Sequence, residues 1–172
     1  MYSQLGAALG GVSEVSQAQW ISVINPTLNE LHELSRQIGV PVEFMTAALD
    51  SEERPRFEVD DGLFMILLRI PMVDSSDNPD TPYYTIPISF IFVDQLMITV
   101  CDEENPLIND FAQGKVKNFK PDKPTRSALQ FFQKAVLYYL KYLKHIEIKV
   151  LQIERNLLKA QKNKEILVLM AF

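Results

Sequence analysis

The chain has 172 residues, 47% of them hydrophobic and 23% charged, a composition that supports a packed core and excludes a disordered, collagen-like or disulfide-stapled chain. Its net charge of −5 is unevenly spread: residues 1–124 hold 8 basic and 19 acidic side chains, net −11, and residues 125–172 hold 9 and 3, net +6. All 10 prolines and all 6 glycines also precede residue 125, so two differently built parts meet near residues 121–124.

Residues 1–18 are small and polar, with Gly6, Gly10 and Gly11, which predicts a flexible, weakly ordered start with room for a strand. Residues 20–24 (Trp-Ile-Ser-Val-Ile) are rich in β-formers and predict a strand. Asn25 then reads as a helix N-cap with Pro26 in the first turn, where a missing N–H costs nothing. Leu28, Leu31, Leu34 and Ile38 recur at helical spacing, Gly39 ends the helix and Pro41 prevents its continuation. A second short helix is expected over 42–49.

An acidic stretch with two arginines follows over 50–61. Within it 56–59 predicts a strand, and Asp61-Gly62 a tight hairpin turn. Residues 63–73 are apolar almost throughout, as in a central strand covered on both faces, with Pro71 predicting a bulge or the end of pairing. Residues 74–82 read as a loop and 83–93 as a strand. There Tyr84, Ile86, Ile88, Phe90 and Phe92 share one face, and Pro87 suggests an edge position. Asp94-Gln95 turns the chain into a strand over 96–101, and 106–114 predicts a short helix.

From Thr125 onward the pattern is purely helical. Leu129, Phe132, Val136, Leu140, Leu143, Ile146, Val150, Ile153 and Leu157 form a coiled-coil-like stripe on a helix expected to extend roughly 50 Å. The polar run 159–164 predicts a bend or a helix–helix turn. The run of seven apolar residues 166–172 is unusual for the end of a soluble domain, so the chain is expected to continue in nature. The organisation read from these patterns is a flexible segment 1–18, an α/β domain 19–124 and a long helical region 125–172.

Catalytic motifs are missing. There is no phosphate-binding loop, dinucleotide-binding glycine motif, C-x-x-C pair, H-E-x-x-H or nucleophile elbow, so an enzyme has no positive support. His32 and His145 lie on separate predicted helices and read as surface or interfacial side chains. Cys101, the single cysteine, reads as a buried inert thiol and fits a reducing compartment. No secretory signal begins the chain, and no apolar run reaches the roughly 18 residues of a membrane helix. Basic and aromatic residues alternate on the last helix (Phe131, Phe132, Lys134, Tyr138, Tyr139, Lys141, Tyr142, Lys144). This mixture reads as a solvated basic face on a packing helix, not a nucleic-acid site. Asp50, Glu52, Glu53, Glu58, Asp60 and Asp61 are hard oxygen donors of the kind that suit Mg²⁺ or Ca²⁺, but they match no EF-hand pattern, and on spacing alone a solvated turn with Arg–carboxylate pairs is the favoured reading.

Taken in order, several segments resemble the cytosolic domain of the CorA family of magnesium transporters. They are Trp20-Ile21-Ser22-Val23-Ile24-Asn25-Pro26-Thr27, the helix end Ile38-Gly39-Val40-Pro41 and Ala48-Leu49-Asp50-Ser51-Glu52-Glu53-Arg54-Pro55-Arg56. Ile98-Thr99-Val100-Cys101 and the long basic helix through Asn163-Lys164-Glu165-Ile166-Leu167 complete the set. The resemblance implies an α/β fold: a mixed β-sheet sandwiched between helices (αβα), followed by long C-terminal helices of a funnel or stalk. It implies self-association, as a homopentamer in the full-length protein, and attachment to the cytoplasmic side of the cell membrane through C-terminal spans absent from this sequence. It also implies Mg²⁺ as cargo, with Co²⁺ or Ni²⁺ as alternatives and Zn²⁺ export as a variant within the superfamily, and cytosolic Mg²⁺ as the gating signal, with no organic cofactor. The family's Gly-Met-Asn selectivity motif is absent from these residues.

In the family an acidic pair lies one turn before the end of the second short helix. Here those positions are Thr46 and Ala47, and Lys134 replaces an acidic residue of the following long helix. Asp50, Glu52 and Glu53 are the nearby candidates for metal ligands. Besides the transporter reading stand a free-standing regulatory or interaction module built on a coiled-coil helix and, behind both, a hydrolase with an unrecognised site.

Overall fold

A computed structural model of the chain describes residues 2–4, 18–60, 62–74 and 82–170. Ten elements follow in chain order: β1 (Tyr2–Gln4), β2 (Trp20–Ile24), α1 (Leu28–Ile38), α2 (Val42–Thr46), β3 (Arg56–Asp60), β4 (Leu63–Val73), β5 (Tyr83–Val93), β6 (Leu96–Cys101), α3 (Pro106–Ala112) and α4 (Pro124–Met170). A 3₁₀ turn, Ala47–Leu49, continues α2. The expected flexible start lies, from residue 5 to residue 17, outside the described residues, while residues 2–4 pair antiparallel with β2.

The strands form one mixed sheet in the order β1-β2-β6-β5-β4-β3, antiparallel except where β2 runs parallel to β6. Alternation along each strand sends one set of side chains to each face. On one face Ile21, Val23, Met65, Leu67, Ile91, Ile98 and Val100 meet Leu31 and Leu34 of α1 and Phe44, Met45 and Ala48 of the α2 segment. On the other, Trp20, Ile70, Ile86, Ile88, Phe90, Phe92 and Met97 meet Leu107, Ile108 and Phe111 of α3 and Ala128, Phe131 and Ala135 of α4. This is the expected sheet between two helical layers.

Three local expectations need correction. The N-cap of α1 is Thr27, not Asn25. Thr27 Oγ1 accepts from Glu30 N (3.3 Å) and Glu30 Oε2 accepts from Thr27 N (2.8 Å), a complete capping box. Asn25 instead takes a left-handed φ of 50° and donates its N–H to Cys101 O (2.9 Å).

Pro71 neither bulges β4 nor ends its pairing with β5, whereas Pro87 does occupy a locally open edge of β5. Asp74 N donates to Pro82 O (3.0 Å), which sets the phase of the β4–β5 ladder. Pro71 opposite Thr85 and Pro87 opposite Arg69 then fall at pairs that exchange no hydrogen bonds. Both sit where β4 and β5 extend beyond β3 and β6, so their nitrogens face an open side, although β5 itself is an interior strand.

Finally, residues 159–164 form no turn. They contain neither Gly nor Pro, and α4 runs unbroken for 47 residues, about 70 Å and not 50 Å.

Candidate functional site

The acidic turn leaves the 3₁₀ turn and leads into edge strand β3. Asp50 Oδ1 accepts from Glu52 N (3.0 Å) and Asp50 O from Glu53 N (3.0 Å), so Asp50 closes its own turn. Glu53 accepts from Arg54 N (3.1 Å) and pairs with Arg56 Nη1 (2.5 Å). Arg56 Nε donates in turn to Glu58, and that hydrogen bond, with both carboxylates nearby, raises the guanidinium's pKa. Asp50 and Glu52 are exposed and Glu53 is half-buried. The donors suit a hard cation in kind, but among the described residues no three Asp, Glu, His or Cys side chains gather as a metal site. Thr46, half-buried, donates its hydroxyl to Glu43 O (3.3 Å).

Arg69, the lone charge in the apolar run of β4, holds this turn from behind. Its Nη1 donates to Ser51 O (2.6 Å) and Glu53 O (3.2 Å), its Nη2 to Thr85 O (2.7 Å) and its Nε to Thr85 Oγ1 (2.9 Å). The backbone carbonyl of Arg69 accepts from Tyr139 Oη on α4 (3.1 Å). A solitary arginine within an apolar strand was the available sequence signal for this role.

Helix α4 divides into two lengths. The first packs on the sheet through Ser127, Ala128, Phe131, Ala135, Tyr138 and Tyr142. Phe131 is the centre of an aromatic cluster, with ring centroids 3.8 Å from Phe111, 4.6 Å from Phe90 and 6.1 Å from Trp20. The stripe named from sequence is a neighbouring face, and its members are 38–65% exposed. From Leu143 to Lys162 every residue is exposed. The helix thus carries its apolar seam into solvent beside basic residues such as Lys141, Lys144 and Lys149.

A buried carboxylate fastens α3 to α4. Asp110 accepts from Tyr138 Oη (2.6 Å) and pairs with Lys134 (2.9 Å) and Lys115 (3.4 Å). Burial would raise its pKa, but the hydrogen bonds from Tyr138 and the lysines outweigh it and hold the carboxyl below its ordinary value. Lys134 is therefore a structural partner of Asp110 on α3. Beyond this clamp, Tyr83, Tyr84, Tyr139, Tyr142, Leu143 and Ile146 line a shallow, mostly apolar cavity of about 170 Å³.

Cys101 is buried, and desolvation pushes its thiol up to about 12, so it stays protonated. His32 and His145 are exposed. No helix among the described residues is long and apolar enough to cross a membrane.

The family model described as CorA-like Mg2+ transporter protein matches residues 15–172. The chain belongs to this family. The cobalt/magnesium transport protein CorA of Methanocaldococcus jannaschii is 34% identical over 55 residues, 32% of this chain and 17% of that protein. The soluble domain of the M. jannaschii CorA superimposes with a TM-score of 0.73 at 20% identity, over 92% of this chain and 64% of that one. The complete CorA magnesium transporter of the same organism gives 0.72 at 19%, over 91% and 50%. The ZntB cytoplasmic domain from Vibrio parahaemolyticus gives 0.59 at 20%, over 85% and 61%. At these identities the structural likenesses show the fold. This CorA-like chain spans half the length of the complete transporter it matches. The mixed sheet, its two helical layers and the long terminal helix are the part it shares with the solved soluble domain.

Proposed function

We propose that this chain is the cytosolic, regulatory portion of a CorA-like divalent-cation transporter, with Mg²⁺ as the leading cargo. The observation that carries the reading is the family match over nearly the whole chain, joined to a helix that leaves the sandwich with its apolar seam uncovered. In this reading copies associate, as a homopentamer, with basic α4 beside the acidic sandwich of a neighbour. The charge division of −11 against +6 supports that contact. Basic residues near a membrane span also favour the cytoplasmic side.

Asp50 and Glu52 are the exposed carboxylates of the acidic turn, and Glu53 is the third candidate, already engaged by Arg56. Since no three such ligands gather among the described residues of one copy, we place a regulatory cation between copies, its charge offsetting carboxylate repulsion. Titrating the chain calorimetrically with Mg²⁺, before and after Asp50→Ala, tests this role. Binding that weakens at least tenfold in the variant supports the assignment; no heat in either protein ends it.

The transporter reading has its own check. It requires two apolar spans of about 20 residues C-terminal to residue 172, the first ending in Gly-Met-Asn. An open reading frame without such spans would leave the free-standing coiled-coil module as the better description.

A further inference from the structure

Among the described residues, β4 has no strand partner on its β3 side beyond Leu67, because pairing begins at Arg56 opposite Leu67. The ladder phase turns the Arg69 N–H and C=O toward that open side. An unpaired carbonyl there needs a donor, and the Tyr139 hydroxyl supplies one at 3.1 Å. Arg69 itself lies on the face of Met65 and Leu67, the α1–α2 face, where its guanidinium grips the acidic turn through two of the turn's carbonyls. One residue therefore holds the acidic turn that follows the α2 segment with its side chain, and α4 on the opposite face with its backbone. Hydrogen bonds run continuously from Ser51 and Glu53 through Arg69 to Tyr139.

We propose that Arg69 is a coupling residue: it ties the position of the acidic turn to that of α4 across the sheet edge, so that a displacement of either is felt by the other. The planar guanidinium suits the task because one rigid fork reaches the turn and Thr85 together, which a lysine ammonium cannot reproduce. Coupling between the two segments is reciprocal by thermodynamic necessity. The inference goes beyond the transporter reading and does not depend on which ion is carried.

The test is amide hydrogen exchange on the full 172-residue chain. The reporters are Glu52 N and Glu53 N, bonded within the turn, and the α4 amides around Tyr139. Tyr139→Phe removes one hydroxyl at a partly exposed site and leaves the turn's own bonds intact. It should accelerate exchange in the turn about fivefold, the effect of losing one ordinary hydrogen bond. Arg69→Lys should accelerate exchange in the turn and also around Tyr139, although it keeps the Arg69 carbonyl and the charge. Tyr138→Phe, which loosens α4 at Asp110 instead, should leave the turn within twofold of the native rate. An unchanged turn in Tyr139→Phe overturns the proposal. So does an Arg69→Lys effect confined to the turn, or equal acceleration by Tyr138→Phe, which would mark general loosening of α4.

Discussion

Phe131 and Phe132 are adjacent on α4 and chemically identical, yet only Phe131 faces the sheet. It is 1% exposed within the cluster of Trp20, Phe90, Phe111 and Phe119, whereas Phe132 is 38% exposed on the outer stripe. Phe131→Ala empties the centre of that cluster and should cost about 3–5 kcal/mol, the usual range for a buried phenylalanine. Phe132→Ala loses only part of its burial and leaves no enclosed void, so about 1 kcal/mol is expected. Urea denaturation followed by fluorescence reads both, because the single tryptophan, Trp20, lies against Phe131. Equal losses, or a larger loss at Phe132, would mean that α4 presents the other stripe to the sheet and that its placement is wrong.

Asp110→Asn should flatten the acid limb of stability. The native carboxyl titrates below its unfolded value, so its contribution is complete above that value and is lost as pH falls through the folded one. Thermal unfolding of the native chain between pH 6 and about 2 should therefore show a step that the variant lacks; parallel curves would contradict the Asp110–Tyr138–Lys134 clamp. Thr27→Ala removes the α1 capping box and should cost about 1 kcal/mol by urea denaturation. Unchanged stability in Thr27→Ala would contradict the Thr27 cap.

Much of the fold is legible because local chemistry and tertiary packing agree. The Gly39 stop at φ 71°, the Asp94-Gln95 turn and the alternation of Ile86, Ile88, Phe90 and Phe92 each survive intact. Where reading fails, a wider context overrules a local cue. Pro71 signals interruption alone, but the ladder phase makes it harmless. The Thr27-x-x-Glu30 signature was present, yet Asn25-Pro26 offered a second plausible cap. On α4 two heptad stripes lie side by side. The more apolar one drew the reading, while the sheet selected the one with Ala128 and Ala135, whose small side chains allow close approach.

The candidate site was legible in composition but not in connection. Asp50, Glu52 and Glu53 stand out as an acidic run, whereas Arg69 and Tyr139 are brought to them only by folding. Asp110 likewise gives no sign in sequence that Lys134 and Tyr138 will enclose it.

The free length of α4 has a geometric consequence. From Tyr142 to Met170 it extends about 42 Å beyond its seat on the sheet. A tilt of roughly 5° at the base sweeps the far end through about 4 Å, more than the length of a hydrogen bond. Sub-ångström adjustments where the helix is seated thus become movements at its tip large enough to exchange one set of neighbours for another.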